Sequence, residues 1–142
     1  MSLLYGYGSF DRAYQLQRFD YGVNMKSRVT EYEQYSVFSG VPTSTRHHLL
    51  FGRGIRNLAE QDGIWIPVTD AEHNMSSKGT INQIHDNPAA EKLSKIAGQL
   101  AWERVWMVSQ AALPFESEDE AYDRLSRECR EAFRKRYGQS FL

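Results

Sequence analysis

Residues 87 to 138 carry helix boundary signals twice over, which leaves the strand-like segments to the chain before them. Asn87 can cap a helix and Pro88 suits its first turn, after which Leu93, Ile96, Ala97 and Leu100 recur at three- and four-residue spacing. Ser117 with Glu120 reads as a capping box, followed by Tyr122, Leu125, Cys129, Ala132 and Phe133 as an apolar stripe that stops at Gly138. The outer face of this last helix mixes Arg124, Arg127, Arg130, Arg134, Lys135 and Arg136 with Glu128 and Glu131. Such a face either meets phosphate or is simply solvated, and solvation is the commoner use of mixed charge.

Upstream, Tyr35 to Val41 has the β-branched and aromatic content of a short strand ended by Pro42, and residues 46 to 51 read as extended. Ile55 to Gln61 predicts a short helix stopped by Asp62-Gly63. Ile64 to Val68 predicts a strand, with Pro67 placing it at an edge or bulge. Thr69 to Asn87 is polar and turn-rich, and the Tyr-, Phe- and Gly-rich first 34 residues offer one weakly amphipathic helix near Asp11 to Arg18.

The 142 residues suffice for one core but not two, and 41% hydrophobic with 25% charged residues is globular composition, so a single domain is expected over 1–142. The apolar stretch from Ala97 to Phe115 is interrupted by Glu103, Arg104 and Gln110, which argues against a membrane span. The first ten residues lack the basic-then-apolar order of a secretory signal, so a cytoplasmic setting is expected. Cys129 is the only cysteine, which removes intrachain disulfides and cysteine-based zinc sites. A net charge of −1 gives no overall pull toward nucleic acid, so any phosphate binding needs basic residues gathered on one face.

All four histidines, His47, His48, His73 and His85, fall between positions 47 and 85. Imidazole is both the commonest metal ligand and the side chain most readily poised as a base near neutral pH, so this clustering points to a metal site. Scattered loop histidines are the alternative. Neighbours in a regular strand face opposite ways, so His47 and His48 share a pocket only at a strand end or an irregularity. Trp65, Trp102 and Trp106 are expected in the core rather than stacked on bases.

The run Arg46-His47-His48-Leu49-Leu50-Phe51-Gly52-Arg53, the segment from Ile55 to Ile64, then Glu72-His73-Asn74 and Ile84-His85, together resemble the small HNH endonucleases of phages and prophages. They are similar to the RecA-dependent nuclease Ref group, and the ending from Glu131 to Leu142 resembles the tail of those proteins. The likeness spans residues 35 to 142.

That resemblance implies an α+β fold with a ββα-metal (HNH, His-Me finger) core of short strands. The core would occupy residues 35–106, with an aromatic-rich N-terminal extension over 1–34 and a helical extension over 107–142. His47, His73 and His85 match metal ligands, His48 matches the general base, and Asn57 is the nearest candidate to orient it. The implied activity is metal-dependent hydrolysis of DNA phosphodiester bonds with one divalent ion, Zn, Ni, Co, Mn or Mg. Imidazole ligands favour the first four over Mg.

Arg53, Arg56 and Lys78, in the loops around the histidines, are the expected phosphate contacts. Asp70, Glu72 and Asp86 could each add an oxygen ligand, though loop carboxylates are mostly just solvated. Where many relatives carry two Cys-x-x-Cys pairs holding zinc, this chain has Tyr35 and Phe38, then Thr69 and Glu72, and apolar packing by the aromatics is the expected substitute. That loss also leaves open a catalytically degenerate HNH fold that binds nucleic acid or a host protein.

Overall fold

Three residues of strand set the position of every histidine discussed below. In the computed structural model, which describes residues 25–75 and 84–142, β1 (Arg46–His48) pairs antiparallel with β2 (Trp65–Pro67). The register sets Arg46 opposite Pro67, His47 opposite Ile66 and His48 opposite Trp65. Pro67 lies at the end of this two-stranded sheet, where its missing N–H costs no ladder bond. The protein is an α+β chain. The expected helix near Asp11 to Arg18 lies outside the described residues.

Helix α1 (Ile55–Asp62) connects the strands and ends where the sequence predicts, at Gly63. Gly63 has a φ of 70°, and a Cβ there would come 2.5 Å from the Lys26 carbonyl oxygen, so only glycine fits this helix end. After β2 the chain makes one wide π-turn, Ala71–Met75. It then reaches α2 (Pro88–Ser109), where Asn87 Oδ1 accepts from the Ala90 N–H at 3.3 Å as the expected cap. Helix α3 (Glu118–Tyr137) follows.

The described residues group into two compact units, 25–99 with 141–142 and 100–140. In the first, Leu49, Leu50, Ala59, Ile64, Trp65, Ile66 and Val68 form the core. Trp65 is buried there as expected, its Nε1 donating to the Met25 carbonyl at 2.9 Å.

The helix at 88–109 is where the sequence predicts it, but its buried face in this unit is another one. Leu93 is exposed, as is Leu100 at the start of the second unit, while Ser94, Gly98 and Gln99 are buried. The reason is proximity. A Cβ on Gly98 would lie 2.7 Å from Leu50 Cγ and 2.9 Å from Leu49 Cβ, so the helix approaches the end of β1 too closely for an apolar stripe to fit.

Tyr35 to Val41 is not a strand. It forms a tight turn closed by a single bridge between Tyr35 and Pro42, with Ser36 N–H donating to the Val41 carbonyl at 2.8 Å. Apolar packing by Tyr35 and Phe38 does not fasten it either, since both are exposed. The clasp is polar: the buried Glu72 carboxylate accepts from Ser36 Oγ at 2.7 Å, Ser39 Oγ at 2.9 Å and Thr69 N–H at 3.3 Å. Two serines and a threonine supply donors that let a buried carboxylate stay ionised.

In the second unit α3 begins with the predicted capping box and buries Ala121, Leu125, Cys129, Phe133 and Tyr137 at four-residue spacing. Tyr122, expected in that stripe, is exposed. Trp102 packs edge-on against Phe133, ring centroids 5.5 Å apart, and Arg130 Nε donates to Glu103 at 2.8 Å. Part of the mixed face of α3 is paired: Arg124 binds Glu116, just before the helix, and Glu128, and Arg134 binds Glu131. Among the described residues, no helix is long and apolar enough to cross a membrane.

Two outcomes test this packing. Gly98→Ala overpacks the contact with Leu49 and Leu50 and lowers stability by about 1–3 kcal/mol, read by denaturant unfolding. Glu72→Gln leaves the shape but replaces an acceptor by an amide that must donate, costing about 1.5–3 kcal/mol at neutral pH. Burial pushes the Glu72 carboxyl up, but bonds from Ser36, Ser39 and Thr69 outweigh it and hold the group below its ordinary 4.5. A depressed carboxyl stabilises the fold above its unfolded value and ceases to as pH falls through its folded one. The difference between parent and Glu72→Gln therefore shrinks on acidification, and a constant difference would refute the ionised clasp.

Candidate metal centre

His47, His73 and His85 converge although 38 residues separate the first from the last. Strand β1 delivers His47, the π-turn delivers His73 and the residues leading into α2 deliver His85. Ring centroids lie 5.4 Å apart for His47 and His73, 5.2 Å for His47 and His85, and 4.8 Å for His73 and His85. The π-turn and the approach to α2 are tied by two backbone bonds, Ile84 N–H to the Glu72 carbonyl and His85 N–H to the His73 carbonyl at 3.1 Å.

The proton positions follow from the partners. Ser94 Oγ donates its one hydrogen to the Leu49 carbonyl at 2.9 Å, so toward His47 Nε2, 2.7 Å away, it can only accept. His47 therefore carries its hydrogen on Nε2 and a lone pair on Nδ1, and that Nδ1 is buried with no hydrogen-bond partner. Burial first, then the neighbouring His85, His73 and His48, hold the His47 imidazole down at about 3, so protons do not compete for the lone pair at neutral pH. An unpaired buried nitrogen is costly unless something occupies it.

His85 Nδ1 lies 3.4 Å from the Glu91 carboxylate, an acceptor-only group, so the metal-binding, neutral form of His85 turns its Nε2 lone pair toward His73 Nε2 at 3.2 Å. Burial, then His85, Arg56 and His48, lower the His73 imidazole, with Asp70 acting the other way. His73 has one hydrogen to move from Nε2 to Nδ1 before all three lone pairs face one point.

Two imidazole nitrogens on a tetrahedral zinc sit about 3.3 Å apart, from metal–nitrogen bonds of about 2.0–2.1 Å. The His73–His85 pair is already at 3.2 Å. The three ligand atoms all lie within 4.8 Å of one another, so the widest gap closes by about 1.5 Å at most on tetrahedral binding. The three histidines can hold a metal ion. Three protein ligands leave a coordination position for water or substrate.

Other expected participants are placed differently. His48, the last residue of β1, is not one of the three clustered rings, and its Nε2 meets Glu60 Oε2 at 2.5 Å. It remains near enough for its charge to lower both His47 and His73. Asn57 is exposed on α1, and the side chain of His48 meets Glu60, one turn further along. Arg53 and Arg56 are exposed, Arg56 close enough to His73 to act on its charge, and Lys78 lies outside the described residues.

None of the three carboxylates considered as oxygen ligands joins the histidine cluster. Glu72 is engaged in the clasp, Asp70 accepts from Thr45 Oγ1, and Asp86 is exposed.

Sequence reasoning missed Ser94, Glu91, Glu60 and Lys95. The Lys95 ammonium lies 4.6 Å from the Phe51 ring centroid, and Phe51 packs edge-on against His47 and His85. The signal for Ser94 and Glu91 was a helical one, a polar face of α2 with Ser94 three residues after Glu91 and four before Gly98. Compared with protein-family models, curated proteins and solved structures, the chain matches none, so the functional reading rests on this geometry.

Ser94→Ala removes the group that fixes the His47 tautomer and lowers zinc affinity by about 10–100-fold, measured by calorimetric titration. Equal affinity in variant and parent would remove Ser94 from the site.

Proposed function

We propose that the chain is a metal-dependent endonuclease of the HNH type, a ββα-metal fold that hydrolyses DNA phosphodiester bonds. The observation supporting this reading most directly is the convergence of three imidazoles, one with a buried unpaired nitrogen, beside a fourth that stays outside the cluster. A purely structural site would more often close with four ligands.

His47, His73 and His85 would hold a divalent ion, which would supply positive charge to the phosphate of the scissile bond. The chain's own residues do the rest. His48 takes a proton from water, the water oxygen forms its bond to phosphorus, and the ester bond to the leaving oxygen breaks, that oxygen being protonated from solvent. Arg56, exposed and within electrostatic range of His73, attracts the phosphate, and Arg53 lies on the same exposed approach to α1. The borderline-soft donor set favours Zn, Co, Ni or Mn over Mg.

A second reading has its own support. Asn57 faces solvent rather than the base, and β1 turns His47 and His48 apart. On that reading the fold keeps its metal and binds nucleic acid or a host protein partner without cutting.

The two separate in a nicking assay on supercoiled plasmid with Zn, Ni, Co, Mn and Mg in turn. His47→Ala and His73→Ala lose both metal binding and cleavage. His48→Ala keeps metal affinity and loses about 10²–10⁴ in rate. Parent-level cutting by His48→Ala defeats the assignment of the base. DNA retardation without nicking under every metal supports the binding reading instead.

A further inference from the structure

Strand β1 sends Arg46 and His48 to one side, where a single carboxylate meets both. Glu60 on α1 accepts from Arg46 Nη1 through Oε1 at 2.9 Å and faces His48 Nε2 through Oε2 at 2.5 Å. Arg46 is itself fixed, its guanidinium 4.0 Å above the ring of the buried Trp65. Each oxygen of Glu60 thus has a separate donor, and its orientation is set from the core outward.

We infer that Glu60 is the positioning residue of His48, holding its hydrogen on Nε2 so that Nδ1 is the atom left to act as the base, the role expected of Asn57. The inference rests on the nuclease reading for its rate consequences but not for the tautomer. A carboxylate can only accept, so the neutral imidazole facing it donates from Nε2 and keeps its lone pair on Nδ1. Packing His48 to near-complete burial then leaves the ring little freedom to turn over.

Arg46 makes the arrangement testable, because it dictates what an isosteric amide can do. In Glu60→Gln the guanidinium, which only donates, claims the amide oxygen. That presents the NH₂ to His48 Nε2, which must then accept, and the hydrogen moves to Nδ1, where the base is needed. Removing the side chain is milder, since Glu60→Ala leaves His48 able to adopt either tautomer. Adding Arg46→Ala to Glu60→Gln frees the amide to turn its oxygen toward His48 and restores the original tautomer. A residue with only a structural role gives no such order, because the double variant would be the most damaged.

The experiment pairs two readouts on the full chain. Nitrogen-15 correlation spectra of His48, taken under alkaline conditions where imidazoles are neutral, report which ring nitrogen carries hydrogen. Plasmid nicking at saturating Zn or Mn reports kcat, with zinc affinity measured alongside. The expected result is hydrogen on Nε2 in the parent and on Nδ1 in Glu60→Gln, with about a 10²-fold fall in kcat and unchanged zinc affinity. Glu60→Ala falls between the two, and the double variant recovers at least about tenfold over Glu60→Gln. Hydrogen on Nδ1 in the parent, or Glu60→Gln cutting as fast as the parent, overturns the inference. A parent that never nicks DNA overturns the nuclease reading, while the spectra still decide the tautomer.

Discussion

A single hydroxyl decides what His47 can do. Ser94 gives its hydrogen to the Leu49 carbonyl and receives one from His47 Nε2, so the ring's remaining nitrogen is forced to carry a lone pair. That arrangement exists only because α2 comes within reach of β1, and α2 comes within reach only because residue 98 has no side chain. Burial then keeps the ring uncharged. The glycine, the serine and the histidine are one device: remove the close approach and the hydroxyl no longer reaches, and without the hydroxyl the tautomer is free to change.

The same three-residue strand separates two chemistries by side-chain alternation. One face presents His47 to the cluster of imidazoles beside α2, while the other presents Arg46 and His48 to a carboxylate on α1. A two-residue period puts adjacent histidines into different electrostatic settings without any irregularity of the backbone. His47 is left with an unpaired nitrogen and His48 with a charged partner. The geometry assigns them different work though their sequence context is nearly the same.

Much of this was legible beforehand, and the residues show why. The capping box at Ser117, the cap at Asn87 and the stop at Gly63 are local signals, satisfied by atoms a few residues away, and all three appear where the sequence places them. The grouping of His47, His73 and His85 was suggested by their number and order, and the rings do meet. What failed was whatever depended on partners distant in the chain. Leu93 and Leu100 have the spacing of a buried stripe, yet the face that packs is chosen by closeness to Leu49 and Leu50, which periodicity does not encode. Tyr35 to Val41 has strand composition, but the Ser36 and Ser39 hydroxyls are drawn to a carboxylate 36 and 33 residues away and bend it into a turn. Glu60 was passed over for Asn57 because a motif was matched by residue type, whereas an acceptor aimed at His48 needs the right turn of α1.

Net charge argued against a phosphate-binding role, and the placement of the acids removes much of that objection. Glu72 is occupied by serine and threonine donors, Glu60 by Arg46 and His48, and Asp70 by Thr45, so none of these three joins the histidine cluster. Glu91 meets the cluster through the far nitrogen of His85, and Asp70 lies near enough to His73 to act on its charge. Neutral imidazoles do not cancel the charge of an ion they hold, so a dication there would remain strongly positive and would seek an anionic fourth ligand. The exposed Arg56, near enough to His73 to act on its charge, extends that preference outward. A chain with a formal charge of −1 can therefore still offer phosphate a positive site, because what matters at these distances is where the carboxylates are bound rather than how many there are.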